Sequence, residues 1–241
     1  LFNTNFGWVN SIWNAREDAK QVVIRTGRLD ESDPASVEAY NSIFEWEKSN
    51  MAEFERTIEW AIENLPNYKL IIRPHPGENA DYWHRAFGDR DNVLIVDGTA
   101  HNPWTLGAEV LIHTSCSTGM EAAVLGTPAL SITPRSDAAQ RGYLLSNSVN
   151  PTVETWQDAA EVLTAYCGHK TGPLAGTTQY NETLDSSFHE FGKGVSGANI
   201  AENLHSLVEH RGGKVDSGYS WNPRPGHPWV NVERRSEWVQ K

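Results

Sequence analysis

The chain is poor in several features that would place it quickly. Two cysteines in 241 residues, Cys116 and Cys167, cannot build a disulfide framework and fit a reducing compartment, so a cytoplasmic location is expected. No apolar run approaches the roughly 18 residues that a membrane-spanning helix needs, and no signal peptide is legible. Positive charge is scarce: 20 lysines and arginines face 31 aspartates and glutamates, a formal net charge of -11. A nucleic-acid backbone requires a broad basic face, which excludes nucleic acid as the main partner. Any anion must be held by a local cluster working against the global field. The G-x-S-x-G elbow of serine hydrolases is missing from "TSCSTG". His75, His84, His101 and His113 match no metal-site spacing, so no metal is expected. There is no internal repeat.

What is present is the composition of an ordinary globular protein, 39% hydrophobic and 21% charged. Four short runs rich in Ile, Leu and Val end in polar turns: "YKLIIRPHPGE", "NVLIVDGTAHN", "EVLIHTSCSTG" and "PALSITPRSD". Without clean alternation, they read as strands buried on both faces, as in a parallel sheet. Segments near Ala80–Phe87, His101–Gly107 and Thr118–Leu125 read as the helices between them. That alternation predicts a Rossmann-like α/β layer, a parallel sheet flanked by helices. Upstream, Pro34 to Leu65 carries apolar residues three, four or seven apart, a long helix or a broken pair. Downstream, Val153–Tyr166 and Ser196–His210 read as helices. From Gly212 the periodicity ends. The expected organisation is one domain over residues 1–211 and an extended tail over 212–241.

In an open parallel sheet, ligands bind beyond the carboxyl ends of the strands. Those ends carry Arg73 and His75, Asp97 and His101, a hydroxyl cluster beside His113, and Thr133 with Arg135. The cluster crowds Thr114, Ser115, Cys116, Ser117 and Thr118 into one turn, with Ser131 one strand later. A helix start needs only one or two such caps. A strand that runs into small residues and then a helix leaves amide groups pointing outward, where the helix dipole favours an anion. Gly119 lets a ligand approach the backbone, and Ser115, Ser117 and Thr118 add donors. The competing reading is a capping box between Thr118 and Glu121. In "RPHP", Pro74 and Pro76 stiffen the turn around His75, and Arg73 offers a planar fork for phosphate. The competing reading there is a structural turn with a half-buried histidine.

"IIRPHP", a later D-G turn and "HTSCSTGMEAAVLGTPALSI" together resemble the C-terminal, donor-binding half of bacterial surface-polysaccharide glycosyltransferases of the GT-B fold. "NTNFGWVN" is similar to a stretch in surface carbohydrate biosynthesis proteins. The resemblance covers residues 1 to 135. It implies that Arg73 and His75 contact the donor phosphate, that Ser115, Ser117, Thr118 and Gly119 line the same site, and that Glu121 lies near ribose or base. It assigns no catalytic residue. It implies a nucleotide sugar (CMP-, UDP- or similar) as donor with no further cofactor, a glycan or lipid-linked acceptor, and peripheral inner-membrane association through other parts of the protein. A GT-B enzyme also carries an N-terminal Rossmann domain for the acceptor, and this chain is too short for both halves. The opening "LFNTNF" reads as entry in mid-strand, so the acceptor domain is expected upstream. Two other readings stay open: a non-hydrolysing nucleotide-sugar 2-epimerase, and a non-catalytic glycan-assembly scaffold.

Overall fold

The computed structural model describes residues 1–13, 16–134 and 145–175. Helix α1 spans Arg16–Arg25 and α2 spans Pro34–Asn64. The Asp33 carboxylate caps α2 by accepting from the Ala35 amide, and Pro34 follows where a missing N–H costs nothing. The buried positions Tyr40, Phe44, Glu47, Met51, Phe54, Ile58 and Ala61 alternate spacings of four and three. They make one stripe along one unbroken helix, so the broken pair is not formed.

Strands β1 (Phe2–Asn3), β2 (Leu70–Arg73), β3 (Val93–Ile95), β4 (Leu111–His113), β5 (Ala129–Ile132) and β6 (Thr152–Val153) form one sheet. Its order is β3-β2-β1-β4-β5-β6, and every pairing is parallel. The four expected strands are present with their carboxyl ends on one edge. Helices α3 (Ala80–Phe87), α4 (Asn102–Gly107), α5 (Ser117–Leu125), α6 (Leu145–Val149) and α7 (Trp156–His169) complete the alternation. The fold is a Rossmann-like parallel sheet flanked by helices. Among the described residues no helix is long and apolar enough to cross a membrane.

The core is built where strand residues meet α2. Phe2, Ile72, Ile112, Leu130 and Ile132 pack with Phe54 and Ile58, and Trp83 and Leu163 join from α3 and α7. Phe54 meets Phe2 and Phe6 edge-on, with ring centroids 5.7 and 5.4 Å apart. Val153, expected to open a helix, belongs instead to β6. The helix starts at Trp156 because Thr155 caps it, accepting from the Asp158 amide while its hydroxyl donates to the Asp158 carboxylate. Arg135, the expected Ser196–His210 helix, the boundary at residue 211 and the tail lie outside the described residues.

Candidate functional site

The sheet order reverses direction between β1 and β4, which marks the topological switch point. A cleft of about 410 Å³ opens there at the carboxyl edge. Its walls come from the turns after β1 (Asn3 to Asn5), β2 (Arg73 to Pro76), β3 (Thr99 to His101) and β4 (Ser115 to Thr118), with Glu121 from α5. Another cavity, of about 440 Å³, lies at the opposite edge among Phe2, Ala61, Leu65, Val110 and Leu163. It is mostly apolar and holds none of the expected site residues, which all lie at the other edge except Gly119.

The turn after β2 is rigid for two reasons. Pro74 and Pro76 fix the backbone. Glu78, 4% exposed, then gathers five donors. Its Oε1 accepts from the Thr4 hydroxyl at 2.6 Å and from the Phe6 and His75 amides at 3.0 and 3.2 Å. Its Oε2 accepts from Trp83 Nε1 at 2.9 Å and Asn10 Nδ2 at 3.3 Å. Glu78 thus stitches the loop after β1 to the turn after β2. His75 projects from this frame, exposed, and its Nδ1 accepts from the Gly77 amide at 3.0 Å. In the neutral ring the proton therefore sits on Nε2, which is left as a donor. The Arg73 guanidinium donates through Nη2 to the Thr99 carbonyl, while its buried Nε has no partner. Burial lowers its pKa from the ordinary arginine value, and the group remains a cation.

Glu47 grips the same loop from the α2 side. Its Oε1 accepts from the Trp8 and Val9 amides at 2.7 and 2.9 Å. Burial pushes its carboxyl up to about 8, and the charge of nearby Glu78 adds to the rise. Neither Glu47 nor Glu78 was singled out from sequence. Glu47 carried a signal, since it sits on the buried stripe of α2. Glu78 carried none, because most of its partners come from residues 4 to 10 and from Trp83, with only the His75 amide close by in sequence.

The hydroxyl turn after β4 divides its labour. Asn50 Nδ2 on α2 donates to the Thr114 hydroxyl. Asn147 donates to the Ser115 hydroxyl at 2.7 Å and accepts from the Ser131 hydroxyl at 2.8 Å. The Ser115 amide donates to Ser131 Oγ at 3.3 Å. These bonds hold Ser115 at φ 49°, a left-handed conformation that a non-glycine residue adopts only when its surroundings impose it. Ser115 lines the cleft, and its hydroxyl accepts from Asn147, which leaves its own proton to donate.

The capping box is not formed. Cys116 is the N-cap of α5 and makes no side-chain cap, Thr118 is already inside the helix, and the Cys116 thiol meets the Thr118 hydroxyl at 2.6 Å. Glu121 pairs instead with His101 Nε2 at 2.6 Å across the cleft. Ser117 and Thr118 face the cleft at the start of α5. Gly119 does not line the cleft. A Cβ there would lie 2.3 Å from His113 Nε2, so this glycine lets α5 close down on β4, and its amide is spent on the Cys116 carbonyl. His113 is fully buried, and burial lowers its pKa to about 3, so the imidazole is neutral. The described residues contain no cluster of three or more His, Cys, Asp or Glu able to hold a metal.

No protein-family model matches the chain, and no curated protein matches it. Among solved structures it is similar to a crystal structure of UDP-GlcNAc 2-epimerase from Neisseria meningitidis bound to UDP-GlcNAc. The identity is 16% and the TM-score 0.42, over 66% of this chain and 41% of that one. The chain therefore spans less than half the length of that enzyme.

Proposed function

We propose that this domain binds the phosphate of a nucleotide-activated sugar, CMP-, UDP- or similar, as the donor half of a GT-B glycosyltransferase that builds a bacterial surface glycan. One observation carries the reading: Arg73, His75 and the start of α5 converge on one polar cleft at the switch point. A guanidinium, a ring donor held by Gly77 and a helix N-terminus form a preorganised anion site inside a protein of net charge -11. The resemblance of "RPHP" and the hydroxyl turn to donor-binding motifs supplies the rest.

In this reading the phosphate sits over Ser117 and Thr118, within reach of Arg73 and His75. As an acceptor hydroxyl attacks the anomeric carbon, negative charge grows on the departing nucleotide phosphate. The fixed cations and amide dipoles stabilise that charge with little reorganisation. Glu121, oriented by His101, accepts from a hydroxyl of the ribose. The acceptor is a glycan or lipid-linked sugar presented by other parts of the protein.

The test is calorimetric titration of UDP- and CMP-sugars into the chain and into Ser117→Ala and Thr118→Ala. Both variants are expected to bind more weakly, with effects that do not add, since the two hydroxyls serve one anion. Stability should change at no more than one of the two positions. Unaltered binding at both would contradict the site. Inversion at the sugar C2 without an acceptor, with the nucleotide still attached to the product, would identify the enzyme as a non-hydrolysing epimerase instead.

A further inference from the structure

The strand register aligns Arg73, Asn3, His113 and Ser131 across β2, β1, β4 and β5. Register partners in a parallel sheet present their side chains to the same face. On this face lies α5, since Gly119 packs on His113. A polar row thus crosses the centre of the sheet at its carboxyl end. Ser131 is satisfied by Asn147. Asn3 is not: it is 3% exposed, and neither its Nδ2 nor its Oδ1 has a partner. Its neighbours in the row, Arg73 and His113, each also keep one buried nitrogen without a partner.

Asn3 lines the cleft at the switch point, in register with Arg73 on β2 and with His113 on β4. A buried amide left without partners penalises the free state. It also has no internal hydrogen bond to lose when it turns toward a ligand. The group that satisfies it must both donate and accept, and must lie beside the phosphate. A hydroxyl does this. A nucleobase edge could also pair with an amide, but in a nucleotide the base stands a ribose away from the phosphate, whereas Asn3 is in register with Arg73 itself.

We infer that Asn3 is a sugar-recognition residue, which takes a hydroxyl of the glycosyl group attached to the phosphate held by Arg73 and α5. The inference rests on the phosphate site proposed above and adds the direction of the ligand: its sugar points to the centre of the sheet at β1.

The experiment is titration of inorganic phosphate and of glucose 1-phosphate into the wild-type chain, Asn3→Leu and Asn3→Ala. The wild type is expected to bind glucose 1-phosphate about tenfold more tightly than phosphate. Both variants should lose that preference and keep the wild-type affinity for phosphate. Asn3→Ala decides the matter if the bulkier leucine prevents folding. A preference retained in the variant, an equal loss of both ligands, or equal binding of both by the wild type would overturn the role of Asn3. A wild type that binds neither would overturn the phosphate site itself, and this inference with it.

Discussion

The two turns that wall the cleft are both rigid, but they are built on opposite plans. The turn after β2 is held by two prolines and one carboxylate, with five donors converging on Glu78. The turn after β4 is held by neutral groups spread over three elements: Asn50 from α2, Ser131 from β5 and Asn147 from α6. A hub concentrates risk in one residue, whereas a spread network tolerates loss of any one member. The comparison also separates support from contact. In both turns the groups with the most internal bonds, Glu78 and Ser115, hold the frame, and His75 and Ser117 project from it.

The largest effect should come from the hub. Glu78→Ala leaves the Phe6 amide and the Trp83 indole N–H without their acceptor, and leaves the Thr4 hydroxyl and the His75 amide only longer bonds, to the Arg73 carbonyl at 3.5 Å and the Thr4 hydroxyl at 3.3 Å. A loss of about 3–5 kcal/mol of stability is expected from urea unfolding. A loss near 1 kcal/mol would mean that the turn after β2 is as distributed as its counterpart. Next comes the packing of α5 on β4. Gly119→Ala drives a methyl into the His113 ring, and overpacking of this kind costs about 1–3 kcal/mol. Unchanged melting would show that α5 can lift off His113 freely.

The two sides should also fail at opposite ends of the pH scale. His113, on the β4 side, has a folded pKa lowered from 6.5 to about 3. The unfolded chain therefore binds the extra proton first, and stability falls as pH drops below 6.5 toward 3. Glu47, on the β1 side, has a folded pKa raised from 4.5 to about 8. Here the folded chain keeps the proton longer, so stability falls as pH rises from 4.5 through 8. Melting temperature measured against pH should show both limbs, and Glu47→Gln should flatten the alkaline one alone. An alkaline limb unchanged in Glu47→Gln would remove Glu47 from the account.

Much of this frame was legible in the sequence, and the exceptions have physical causes. Strands β2, β4 and β5 showed as apolar runs because they are buried between helices, whereas β3 is not buried on both faces as expected, since Leu94 is 43% exposed. Strands β1 and β6 are two residues long each, too short to carry a pattern, and only the sheet around them makes them strands. Arg73, His75, Ser117 and Thr118 were readable as cleft residues because strand ends in a parallel sheet share an edge, whereas Glu121 came only from the family resemblance. Gly119 was read as room for a ligand, whereas the structure puts the His113 ring beneath it. From one chain alone, a glycine needed by a neighbour and one needed by a ligand look the same. Asn3 and Glu78 were invisible because their meaning lies in what stands beside them across the sheet.

The measurement that bears most directly on the central claim is titration of UDP into the wild-type chain and into His75→Ala, with melting followed on both. The His75 side chain stands outside the support network except for one bond from the Gly77 amide, and its backbone bonds to Glu78 survive truncation, so its removal should touch the frame little. The account predicts an affinity loss of about 1.5–3 kcal/mol with melting nearly unchanged. Full affinity in His75→Ala together with a markedly lower melting temperature would contradict it, and would make the turn after β2 a structural element alone.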